Sequence, residues 1–101
     1  GTFYEPGLGA CGVINAQYDL VVAISYILYD SYPGYTGNNP NDNPVCGKMI
    51  TAYYMGNQVT VMVVDRCISC QIDDLQFSPA AFDTLANFDL GRIPISWVWD
   101  S

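Results

Sequence analysis

The chain has 101 residues, half of them apolar, which is room and material for one hydrophobic core. Ten acidic against three basic residues give a net charge of −7, which argues against nucleic acid and anionic membranes as partners, since both demand clustered Lys and Arg. No apolar run approaches the ~18 residues of a membrane span, and Gly1 reads as the start of a mature, processed chain.

In chain order, Thr2-Phe3-Tyr4 reads as a short strand and Glu5-Pro6-Gly7-Leu8-Gly9 as a turn. Residues 20–25 (LVVAIS) have the composition of a buried strand. The next ten residues hold Tyr26, Tyr29, Tyr32 and Tyr35. Eight tyrosines in so short a chain exceed what a small core can satisfy, because each buried hydroxyl needs a partner. Several among Tyr4, Tyr29, Tyr32 and Tyr35 are therefore expected at the surface, where planar amphipathic rings suit a polysaccharide or a protein interface. Residues 36–44 are polar and rich in Pro and Asn, a loop pinned by Cys46.

The chain is organised around residues 48–85. Apolar runs at 49–55 and 59–64, split by Gly56-Asn57-Gln58, predict a β-hairpin. The second run is apolar at nearly every position, so both of its faces should be covered. Asp65-Arg66 should end that strand, and Cys67-Ile68-Ser69-Cys70 follows at the rim. Ser78-Pro79 announces a short helix over about 79–86, with Ser as N-cap, Pro at the first position and Ala81, Phe82 and Leu85 on one side. Residues 92–99 alternate as a last strand, Ile93, Ile95, Trp97 and Trp99 on one face. Trp97 and Trp99 either belong to the core or cover the barrel's end, or one of them floors a sugar groove.

Four cysteines with a single lysine and no histidine suggest an oxidising compartment. A zinc site of four thiolates is the rival, since Cys67 and Cys70 have ligand spacing, but it needs a second close pair and Cys11 and Cys46 are far apart in sequence. A thioredoxin-like redox role for the CxxC lacks the helix start and βαβ context it requires. Spacing alone leaves all three disulfide pairings open.

Five short segments in register carry a resemblance. They are GLGACG near the start, NPVCGK in the middle, VVDRCISC, DLQFSPAAFDTLA and GRIPISWVW. Together they make the chain similar to the barwin/expansin superfamily over nearly its whole length. The nearest groups are the small fungal expansin-like proteins (loosenins) and the barwin-like papain inhibitors. The resemblance implies an all-β, six-stranded double-psi β-barrel forming a single domain over 1–101. It also implies disulfides Cys11–Cys46 and Cys67–Cys70, with no metal and no cofactor.

The same resemblance points to a functional trio: a threonine in the first strand, an aspartate after the buried strand, and a second aspartate in a D-L-D-[LF]-S-P motif. Thr2 matches the first and Asp65 the second, but DLQFSP puts Gln76 at the third. That missing carboxylate matches the proton donor of related endoglucanases, and a glutamine amide cannot donate a proton at neutral pH. Asp74, two residues upstream, would have to act across about 6.6 Å of strand to replace it. Related bacterial lytic transglycosylases use an aspartate and a histidine, and this chain has no histidine. Asp65 has an ordinary alternative, to accept backbone N–H bonds or pair with Arg66 or Arg92. Strand alternation turns Leu75 and Phe77 inward and Gln76 outward, within reach of Thr2 and Asp65.

The expectation is a secreted, non-lytic, monomeric expansin-like protein that is not an enzyme. Its groove residues would be Thr2, Tyr4, Asp65, Gln76, Tyr29 and Tyr35, and its partner cellulose or chitin in a cell wall. The alternative is an inhibitor of papain-like cysteine proteases, presenting loops rather than a groove.

Overall fold

A computed structural model describes residues 1–100; Ser101, the last residue of the expected domain, lies outside them. Six strands form one sheet: β1 (Thr2–Phe3), β2 (Val21–Ser25), β3 (Met49–Tyr54), β4 (Asn57–Cys67), β5 (Leu75–Phe77) and β6 (Ser96–Trp99). Their spatial order is β1-β5-β2-β4-β3-β6, with β1/β5 and β2/β4 parallel and the other pairs antiparallel. Gly1 and Ile93 exchange both backbone hydrogen bonds at 2.8 Å, joining the start of β1 to the segment that leads into β6. This exchange makes them an antiparallel pair, so Thr2 and Arg92 stand side by side across the seam.

The fold is the six-stranded, mostly β barrel expected. Its interior holds Val22, Ile24, Ile50, Val61, Val63, Leu75 and Phe77, all fully buried. Helix α2 (Pro79–Leu85) closes one side with Ala81, Phe82 and Leu85, and the Ser78 hydroxyl accepts from Ala81 N as its N-cap. Both disulfides, Cys11–Cys46 and Cys67–Cys70, are formed as the resemblance implied.

Several local expectations are corrected. The hairpin turn is Met55-Gly56, with φ of 45° and 85°, and Asn57 and Gln58 belong to β4. Positive φ at both central residues is the condition of a type I′ turn, whose twist matches the strands. Strand β4 is also not covered on both faces, because Thr60 and Met62 are exposed while Val59, Val61 and Val63 are buried. A barrel buries only its inner face along that stretch.

The strand also runs through Asp65 to Cys67 instead of stopping at the charges. Residues 92–95 precede β6 and do not extend it, although Ile93 and Ile95 keep the facing expected of them. A second short helix, α1 (Tyr26–Asp30), follows β2 with Ser25 as its N-cap, in the tyrosine-rich stretch where no helix was expected.

Candidate functional site

One irregularity brings Asp65 into a row of residues on the outer face. Val22 pairs with Val63, but Ala23 pairs with Asp65, so Val64 is an extra residue bulged out of the β2/β4 ladder. Strict alternation would turn Asp65 inward after Val61 and Val63. The bulge moves it beside Ala23 on the outer face, while Val63 and Val64 are both buried.

Ala23 also pairs with Gln76, and Gln76 with Thr2. The order across adjacent strands is therefore Arg92, Thr2, Gln76, Ala23, Asp65, all on one outer face. Leu75 and Phe77 are fully buried, so Gln76 faces out as expected. Gln76 does not reach Asp65, however, since β2 lies between them, two strand spacings or roughly 10 Å. The small Ala23 in the gap is covered by Tyr4, which packs against Ala23, Cys67 and Cys70. Burial, and second the nearby Asp65 charge, push the Tyr4 hydroxyl well above its ordinary pKa.

Asp65 carries the backbone role foreseen as its ordinary alternative. Its Oδ1 accepts from Ala10 N at 2.9 Å and Arg66 N at 2.7 Å. Neither arginine pairs with it. Arg66 forks onto Asp30 at 2.8 and 2.6 Å, and Arg92 bonds Asp74 at 2.7 Å. Gly9 lets the 8–10 loop approach, because a Cβ there would collide with Val64 O and crowd Asp65.

Asp74 is occupied. Its side chain is 9% exposed and bound by Arg92 and by the Gly1 amino group at 3.1 Å. Burial alone would push its carboxyl up, and the hydrogen bonds from Arg92 and the amino group outweigh that and hold it below the ordinary range. The Thr2 hydroxyl donates to Gly91 O at 2.9 Å, which leaves its oxygen free to accept.

Beyond Asp65 the outer face opens into a cleft of about 720 Å³, lined by Leu8, Gly9, Ala10, Asp30, Tyr35, Asp65 and others. Tyr35 thus lines the same cleft as Asp65. Tyr29 does not: it is fully buried, and its hydroxyl donates to Pro40 O at 2.6 Å beside the Cys11 and Cys46 sulfurs. Burial, followed by Tyr35 and Asp65, pushes that hydroxyl up to about 12. The loop carbonyl of Pro40 supplies the partner that a buried tyrosine needs, and a carbonyl supplied by a distant loop leaves no trace in sequence spacing.

Trp97 and Trp99 are both half-buried and pack against the core, and both also line a surface cleft with Asp73, Ile95 and Ser96. Arg92 was missed as a groove residue. Its signal was the parity of residues 92–99, which sets Arg92 opposite to Ile93.

Residues 2–97 match a double-psi β-barrel family described as lytic transglycolase. The chain belongs to this barwin/expansin-like family. A papain inhibitor from Streptomyces mobaraensis is 37% identical over 100 residues, 95% of this chain and 66% of that protein. The solved Streptomyces papain inhibitor superposes with a TM-score of 0.85 at 34% identity, covering 97% of this chain and 87% of that one.

An Asp f 7 allergen homologue from Arthroderma benhamiae is 33% identical over 86% of this chain and 28% of its own length. A mutant Clavibacter michiganensis expansin solved with cellohexaose gives a TM-score of 0.78 at 28% identity, over 99% of this chain and 48% of that one. The chain spans 66% or less of the curated relatives' lengths. An expansin-like barrel with carbohydrate-interacting relatives is thus established, alongside relatives that inhibit a protease.

Proposed function

We propose that the chain folds as one domain, is secreted and monomeric, and binds neutral cell-wall polysaccharide across its outer face without cleaving it. The row from Arg92 through Thr2, Gln76 and Ala23 to Asp65 carries this reading. It is an open strip of hydrogen-bonding groups with only one carboxylate outside a salt bridge. Glycoside hydrolysis requires two carboxyl groups across the bond, one of them a proton donor. Asp30 in the cleft and Asp74 beside the row are each held ionised by an arginine, Arg66 and Arg92, the wrong form for an acid.

Binding would use Asp65 Oδ2, which has no hydrogen-bond partner among the described residues, together with the Gln76 amide, the Thr2 oxygen and the Tyr4 and Tyr35 rings. Cellulose and chitin suit this surface better than acidic polysaccharides. The net charge is −7, and two of the three cations, Arg66 and Arg92, are already spent on Asp30 and Asp74.

Co-sedimentation with cellulose and with chitin, paired with a reducing-sugar assay, tests the proposal. Retention without sugar release is expected. Sugar release well above buffer would make the chain a hydrolase, and no retention on either matrix would end the polysaccharide reading.

A second reading, inhibition of a papain-like cysteine protease, is favoured by the 37% identity to the papain inhibitor and by one surface feature. Leu8 and Ile14 pair in an isolated β-bridge at 72% and 78% exposure, an apolar loop tip of the kind that enters a protease cleft. Papain activity titrated with the protein decides it. A stoichiometric loss that Leu8→Ser and Ile14→Ser relieve would establish this reading.

A further inference from the structure

We propose that the polysaccharide surface continues past Arg92 into a second saccharide subsite, a trough walled by Trp97 and Trp99. This rests on the polysaccharide reading above. Two clefts of about 480 and 430 Å³ share Asp73 and Ile95 and so form one trough from Arg92 to Trp99. The trough begins where the outer row ends, because Arg92 stands beside Thr2 across the seam joined by Gly1 and Ile93.

Its aromatic wall is held in place. The Trp97 indole N–H donates to Asp73 O at 3.0 Å. Trp99 meets Trp97 edge-on at 5.3 Å and 81°, and Tyr32 backs Trp99 at 5.8 Å. Rings fixed this way lose little freedom when a ligand stacks on them.

Polar groups stand along the same trough: Gln71, Ser96 and the exposed carboxylate of Asp73. The Asp73 carboxylate enters no hydrogen bond or ion pair among the described residues. One apolar wall and a set of donors and acceptors match a pyranose, whose ring faces are C–H and whose edge is hydroxyl. A carboxylate bonded to those hydroxyls would give short, charge-assisted bonds. The same carboxylate repels anionic ligands, so the occupant is a neutral glycan, the cellulose or chitin of the reading above.

Both tryptophans of the chain lie in this trough, so tryptophan emission, excited beyond the tyrosine absorption band, reports on it alone. The test titrates the protein with cellohexaose and with chitohexaose, following emission and heat, after retention on the solid polysaccharides has been scored. Expected are a saturable emission change with the same midpoint as the heat signal, and affinity roughly three- to tenfold weaker in Trp97→Phe. Asp73→Asn, on an exposed side chain, should weaken binding at an unchanged melting temperature, which keeps the test valid if Trp97→Phe unfolds.

Retention with silent tryptophans and full affinity in both variants would overturn the trough and leave the outer row standing. Absence of retention on either solid would overturn both.

Discussion

Gln76 replaces a carboxylate at a position whose neighbours are Thr2 and Ala23, not Asp65. At roughly 10 Å through solvent, two carboxylates repel by about 0.4 kcal/mol, and salt reduces this further. Gln76→Asp should therefore fold with a melting temperature within a few degrees of the parent. It should weaken filter paper more than the parent does, with retention on cellulose little changed. Equal weakening by both proteins would show that the carboxylate is not the active element.

Asp65 can be divided in the same way. Asp65→Asn keeps an oxygen to accept from Ala10 and Arg66 and should lower retention on polysaccharide with little loss of stability. Asp65→Ala removes those acceptors too and should cost a further 1–3 kcal/mol or so in urea melts.

At the scale of elements, the β3–β4 turn holds a methionine at φ 45°, 84% exposed, before Gly56. Asn tolerates that conformation far better and makes the favoured Asn-Gly pair. Met55→Asn should stabilise the fold by about 0.5–1 kcal/mol, read as a rise in melting temperature.

The Asp74–Arg92 pair links β5 to the seam, and its carboxyl pKa is lowered on folding. Such a group stabilises the fold above its unfolded pKa of about 3.9, and the benefit is lost as pH falls through the folded value. Arg92 is 64% exposed, so solvent limits the pair to about 1 kcal/mol. Asp74→Asn should lower the unfolding free energy from urea melts at pH 7 by that amount and flatten its decline between pH 4 and pH 2.

Features set by local, short-period patterns were legible in the sequence. The buried strands, the Ser78 cap, the outward Gln76 and the alternation around Trp97 follow from residue types at periods of two and 3.6. The register of Asp65 was not, because a bulge adds one residue to the count with no compositional mark. The burial of Tyr29 was hidden for a similar reason, its partner being a backbone carbonyl eleven residues away. The short α1 was masked by tyrosines, which favour strands as readily as helices.

The whole molecule carries −7 with Arg66 and Arg92 neutralised locally, leaving Lys48 as the one side-chain cation outside a salt bridge among the described residues. A surface that recognises neutral sugar by hydrogen bonds and ring stacking has no counterions to release. Retention on cellulose or chitin should therefore vary less than twofold or so between 50 and 500 mM salt. A steep fall with salt would point to a basic macromolecule held by the acidic surface.

The extra residue at position 64 also sets how this molecule tolerates changes of length. Before it, the odd-numbered positions of β4 belong to the barrel interior, and after it they belong to the outer face, where Asp65 is half-buried and Cys67 lies buried against Tyr4. One continuous strand thus serves two environments under opposite parity. Replacing Val64 by a residue of similar size preserves that switch, whereas deleting it turns Asp65 and Cys67 inward together. The loss would reach the Cys67–Cys70 bridge and the Asp65 hold on the 8–10 loop at once. The exposed residues 36–38, which precede the Asn39 cap and the Pro40 carbonyl, answer to no such count and tolerate a change of length more readily. In this barrel, what must be conserved along β4 is a number of residues as much as their identity.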